Sequence, residues 1–89
     1  MTVQHAPDQD RFTAETDAGT AVLEYQMRGD AIAFVHTLVP QGARGQGVGS
    51  ALAQAGLDHA RSEGLKVVPD CPFVAAYVRD HPDVQDLVA

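Results

Sequence analysis

The run from Pro40 to Ser50, PQGARGQGVGS, concentrates the residue types that hold a phosphate. Glycines let a backbone approach a ligand closely and turn its N–H groups inward. A helix that starts near Val48 adds the partial positive charge of its first turn. Arg44 stands beside it as a fixed cation. A pyrophosphate is the natural occupant of such a loop. Two better-known phosphate motifs do not fit. A P-loop ends in Gly-Lys-Ser/Thr, whereas here Gly49-Ser50 lacks the lysine. A dinucleotide fingerprint G-x-G-x-x-G begun at Gly45 meets Ser50 at its third glycine, and begun at Gly47 it meets Leu52. The pattern R/Q-x-x-G-x-G/A fits, with Arg44, Gly47 and Gly49 in register.

Cys71 is the single thiol and immediately precedes Pro72, a residue suited to the first position of a helix. A thiol at a helix start gains thiolate character, and Asp70 beside it works the other way. The alternative is a small buried hydrophobe, the usual fate of a free cysteine. His5 and His59 lack partners at metal-ligand spacing, so no metal site is expected.

The elements that must position these groups follow from periodicity. Met1 to Asp10 reads as a polar lead-in containing Pro7, with at most a short first strand. Arg11 to Glu15 alternates, with Phe12 and Ala14 on one face. After a turn at Asp17-Ala18-Gly19, Thr20 to Arg28 alternates as a half-buried antiparallel strand, Leu23, Tyr25 and Met27 facing one way. Gly29-Asp30 is a tight hairpin turn. Ala31 to Val39 is apolar on both faces, which predicts a central, covered strand with Ile32, Phe34, His36 and Leu38 on one side and Thr37 on the other. A helix from about Val48 to Glu63 is stopped by Gly64. Leu65 to Val68 is a short strand, parallel to Ala31–Val39 by the crossover rule. A second helix, Pro72 to Asp80, should turn Phe73, Ala76 and Tyr77 inward and end at His81-Pro82, with a last turn over Asp83 to Val88. The order β-β-β-α-β-α predicts an α+β fold, a mixed and mostly antiparallel sheet with one parallel pair and packed helices.

Eighty-nine residues suffice for one domain, 1–89, whose core is built from aliphatic residues and three phenylalanines, since there is no tryptophan. The net charge of −6, with only six scattered Lys and Arg, argues against nucleic-acid and anionic-membrane surfaces. Such a charge suits a cationic partner such as a lysine or a polyamine, and equally serves plain solubility. One cysteine, no signal-like amino terminus and no bilayer-length apolar run lead to the expectation of a cytoplasmic setting.

The run from Val39 to Pro82 resembles the minimal, single-domain (YjdJ-type) subgroup of the GNAT superfamily of N-acetyltransferases. The resemblance rests on the VP-x-x-x-RG-x-G-x-G loop, the helix end L-x-x-A-R-x-x-G-L, the tail VVP-x-CPF-x-x-x-Y-x-x-x-HP and the upstream FVHT of Phe34 to Thr37. It covers about residues 20 to 88; Leu38 and Val84 depart from the pattern. It implies an acetyl-CoA-dependent transfer of an acetyl group to an amine acceptor, a protein or a small molecule. It further implies CoA in a V-shaped gap between splayed strands Ala31–Val39 and Leu65–Asp70. The pantetheine arm would pair with backbone near Leu38 and Val39, and the pyrophosphate would sit on Arg44, Gly45, Gln46, Gly47, Val48, Gly49 and Ser50.

On the same resemblance Cys71 would lie at the acetyl group, as acyl-accepting nucleophile or orienting thiol. His36 would stand close enough to take the amine's proton, directly or through water, or else be a core histidine bonded to backbone. Tyr77 would protonate the departing sulfur, or else be a packed ring with its hydroxyl at the surface. His81 reads as a helix-end cap. The helical insertion that builds the acceptor pocket in larger GNAT enzymes is missing, which leaves room for a bulky acceptor, or for a protein partner or homo-oligomer that completes the site. A CoA-binding regulatory or interaction module without useful catalysis is the alternative reading, and a structural domain pairing through an exposed sheet edge is the third.

Overall fold

Hairpin chemistry shapes the first half of the chain. The computed structural model describes residues 2–89. Strands β1 (Val3–Ala6), β2 (Arg11–Thr16), β3 (Gly19–Arg28), β4 (Ala31–Leu38) and β5 (Lys66–Val68) form one sheet in that order. The first three pairings are antiparallel and β4 with β5 is parallel. Gly29, at φ 63°, opens the two-residue loop between β3 and β4 as expected. The polar lead-in carries the short first strand, β1, paired to β2 with Val3 opposite Ala14, and a 3-10 turn at Pro7–Gln9. Gln4 and His5 are exposed along it, as an edge strand allows.

Two helices, α1 (Val48–Ser62) and α2 (Pro72–Asp80), pack side by side on one face of the sheet. The molecule is accordingly thin, 19 Å along its shortest axis. Leu52, Ala53, Leu57 and Ala60 of α1 meet Phe12, Leu23 and Phe34 of the sheet in one apolar cluster. Each fully buried large side chain there contributes about 1.5–3 kcal/mol. A Cβ at Gly56 would fall 2.7 Å from the Phe34 ring, so the helix rests closer to the sheet than any side chain permits. Gly64, at φ 68°, ends α1. In α2 the buried residues are Val74 and Val78, so the inner face differs from the expected Phe73, Ala76 and Tyr77. A 3-10 helix at Pro82–Leu87 follows, and Val88 bridges Val67 at the sheet's far edge. No described helix is long and apolar enough to cross a membrane.

The decisive irregularity lies in β4. Tyr25 pairs with Phe34, but the next residue back, Glu24, pairs with His36, leaving Val35 as a bulge. One extra residue reverses the alternation beyond it. Phe34 and Thr37 therefore share the helix-covered face, and His36 and Leu38 point to the opposite face. That face carries no helix: His36 is exposed and Leu38 is 51% exposed. The expected two-sided covering of β4 thus fails beyond the bulge, though Ala33 before it is buried, and so does the expected grouping of Phe34 with His36.

Candidate functional site

A groove opens where the parallel pair stops. β5 pairs only with Ala31, Ile32 and Ala33 of β4. The Cys71 N–H then donates to the Phe34 carbonyl at 2.7 Å. Beyond that bond β4 continues with β3 on one side and no strand among the described residues on the other. The cavity beside it measures about 450 Å³. Thr37 and Val39 line it from β4, Ala43, Arg44 and Gly45 from the loop, Gly47, Val48, Gly49 and Ser50 from the start of α1, and Phe73 from α2.

The loop is built for access to the α1 N-terminus. A 3-10 turn at Gln41–Ala43 buries Ala43 and pins the loop to the core. Gly47 is the N-cap residue at φ 79°, a left-handed conformation in which a side chain would be strained. No side chain caps this helix and no carboxylate lies in its first turn. Its first N–H groups therefore face the groove with their partial positive charge uncompensated. Arg44 reaches back, its Nε donating to the Val39 carbonyl at 3.4 Å. Of the six Lys and Arg, four are paired with carboxylates; among the described residues Arg44 and Lys66 are not. A free cation at this one loop is what an anionic ligand needs. Gly49 has a separate reason to lack a side chain, since its Cβ would stand 2.7 Å from the Phe73 ring.

Cys71 is the N-cap residue of α2 and is only 4% exposed. Its Sγ lies 3.0 Å from the Thr37 Oγ1, a contact the bulge makes by turning Thr37 inward. Asp70, the carboxylate beside it, is engaged by Arg28 at 3.3 Å. Cys71 does not line the groove; Thr37 stands between.

Of the residues expected in the site, Val39, Arg44, Gly45, Gly47, Val48, Gly49 and Ser50 come together around the groove. Gln46 is exposed and outside its wall. The Leu38 and His36 side chains lie on the opposite face of the sheet, so His36 is not placed where a base was expected. Tyr77 stacks on His81 with ring centroids 3.8 Å apart and brings its hydroxyl to 3.5 Å from Gln54 of α1, away from the groove wall. Burial first, then Asp83 and Asp58, raise the Tyr77 phenol above its ordinary range. His81 caps α2 as expected, its Nδ1 2.7 Å from the Tyr77 carbonyl oxygen. Thr37, Ala43 and Phe73 were the wall residues that sequence reasoning missed. A bulge leaves no mark in alternation, so nothing at Thr37 announced its face.

Comparison with known proteins gives the family and the fold. Residues 11–87 match the family described as GCN5-related N-acetyltransferase. Protein NATD1 of Gallus gallus is 35% identical over 83 residues, covering 90% of this chain and 76% of that one. Protein NATD1 of Homo sapiens is 35% identical over the same length, covering 74% of its own chain. The solution structure of a GCN5-like protein from Staphylococcus aureus superposes with a TM-score of 0.74, at 24% identity, over 99% of this chain and 87% of that one. By fold and by sequence, the chain belongs to the GCN5-related N-acetyltransferase family.

Proposed function

We propose that the chain binds acetyl-CoA in the groove and transfers its acetyl group to an amine. One observation carries this reading: a single groove runs from an uncapped helix start with an unpaired arginine to the open edge of a β-strand. The residues present fit such a ligand. Gly45 and Gly47 have nothing within 4 Å of where a Cβ would be, which leaves room for a pyrophosphate against the backbone. Arg44 and the first N–H groups of α1 would hold it, with the Ser50 hydroxyl beside them. The open edge of β4 near Val39 offers backbone groups to an amide-containing arm, as an added strand would use them. Val39, Val48 and Phe73 supply apolar wall and keep water off that arm. When bound, acetyl-CoA supplies an activated thioester.

The side chains support direct attack by the amine over a covalent relay. Cys71 is buried behind Thr37, and neither His36 nor Tyr77 lines the groove. The neutral amine would attack the thioester carbonyl, the C–S bond would break, and CoA would leave as its thiol after taking up the proton the amine loses. The chain would accelerate this mainly by orientation and exclusion of water. A second reading has an observation of its own: Arg44 is the one titratable side chain in the groove wall. A CoA-binding module without useful turnover fits that wall equally well.

Two measurements test the pair of readings. Thermal melts with rising CoA should climb, by about 2.7 kcal/mol of stabilisation at a hundredfold excess over Kd. Steady-state assays with a panel of amines should then show acetyl-CoA consumed. Binding without turnover would select the module, and a flat melting temperature at millimolar CoA would remove both.

A further inference from the structure

We propose that Thr37 sets the length of the acyl group the groove accepts, its side chain forming the end wall against which the acyl chain stops. The inference rests on the acetyl-CoA reading above and goes beyond it to donor specificity. The groove has a direction. Arg44 and the α1 N-terminus fix its phosphate end, and Thr37 belongs to β4 at the end nearest the closed β4–β5 pairing. An elongated ligand held by its phosphates therefore directs its other end toward Thr37. That wall is rigid for three reasons. The bulge at Val35 commits Thr37 to the covered face, opposite the fully buried Leu23 of β3. Its Oγ1 lies 3.0 Å from Cys71 Sγ. Cys71 in turn is 4% exposed and tied by its N–H to the Phe34 carbonyl. A longer acyl chain would have to push Thr37 into packed neighbours, and overpacking is costly.

The test compares affinities for acetyl-CoA, butyryl-CoA and free CoA in the wild-type chain, Thr37→Ala, Thr37→Ser and Thr37→Val, each checked for fold by circular dichroism. Pockets that sense a methylene discriminate by roughly tenfold or more. The wild type should therefore prefer acetyl-CoA to butyryl-CoA by about that factor or beyond. Thr37→Ala should bring the ratio close to one, with each variant's affinity for free CoA as its own reference, and Thr37→Ser should fall between. Thr37→Val, of the same shape without the hydroxyl, should keep the wild-type ratio. Should Thr37→Ala not fold, Thr37→Ser carries the comparison. A wild type indifferent to chain length, or a ratio unmoved in Thr37→Ala and Thr37→Ser while free CoA still binds, overturns this proposal alone. No binding of CoA by the folded wild-type chain overturns the acetyl-CoA reading and this proposal with it.

Discussion

Two helix starts border the groove and are built in opposite ways. α1 begins at Gly47, exposed, left-handed and with open space where a side chain would be. α2 begins at Cys71, extended and 4% exposed, with its own N–H occupied by Phe34. Pro72 then removes a further donor from α2's first turn, and Phe73 lays a ring over the groove beside it. Both helices lack a side-chain cap, and both carry a dipole of the same sign. What separates them is access and the number of spare N–H groups. A helix dipole alone does not make an anion site; the proposed one adds a glycine entry, free donors and an unpaired cation.

The largest effect expected from breaking this contrast comes at Gly47. Gly47→Glu places a carboxylate over the α1 N-terminus, where it would compete with phosphate, and it also strains the backbone by about 1–2 kcal/mol at this left-handed position. CoA should then give no thermal shift although circular dichroism is unchanged. A folded Gly47→Glu chain with ordinary CoA affinity would place the ligand elsewhere. Next comes Arg44→Gln, which should weaken CoA about tenfold and flatten its salt dependence, as loss of one charge-assisted bond does. Asp70→Asn, at the α2 start, should leave CoA affinity alone, because that carboxylate is turned to Arg28. Equal losses from the two variants would erase the proposed distinction. A smaller effect is expected at Gly49→Ala. Its new Cβ meets the far edge of the Phe73 ring at 2.7 Å, and that residue is 41% exposed and free to swing. CoA affinity should drop several-fold and recover in the double variant with Phe73→Leu; a double variant no better than Gly49→Ala would show that the ring is not the obstacle.

The same contrast explains what could be read in advance. The loop-to-helix form of the α1 start was legible because glycines and an arginine stand at fixed offsets before a helix that repeats apolar residues at 3.6 spacing. The sheet's antiparallel hairpins and the single parallel pair followed from alternation and crossover handedness. The α2 start was only half legible. Cys71 and Pro72 marked a helix beginning, but the contact of Cys71 with Thr37 joins residues 34 positions apart and depends on the unpaired Val35. Alternation counted through a bulge assigns every later residue to the wrong face, and so His36 was expected where Thr37 stands. In α2, Val74 and Val78 compete with Phe73 and Tyr77 for the core, and the smaller pair is the one that fits under the helix.

Cys71 is where the contrast is sharpest and the expected change in ligand binding the smallest. Cys71→Ala removes one buried sulfur and its contact with Thr37, at a cost to stability of about 1–2 kcal/mol. It touches none of the groups proposed to hold phosphate, so CoA affinity should stay within a factor of about two, well under the ~1.4 kcal/mol that makes tenfold. The helix-start position favours a thiolate, yet burial opposes one, and access to the groove is blocked by Thr37. A direct attack by the amine requires no covalent relay. Intact mass after incubation with acetyl-CoA under rapid quench should therefore show no acetyl adduct in the wild type, and Cys71→Ala should keep most of any transfer rate. An adduct in the wild type that disappears in Cys71→Ala, together with lost transfer, would make the buried thiol the acyl carrier. It would also require Thr37 to move aside during turnover, exposing Cys71 to the groove.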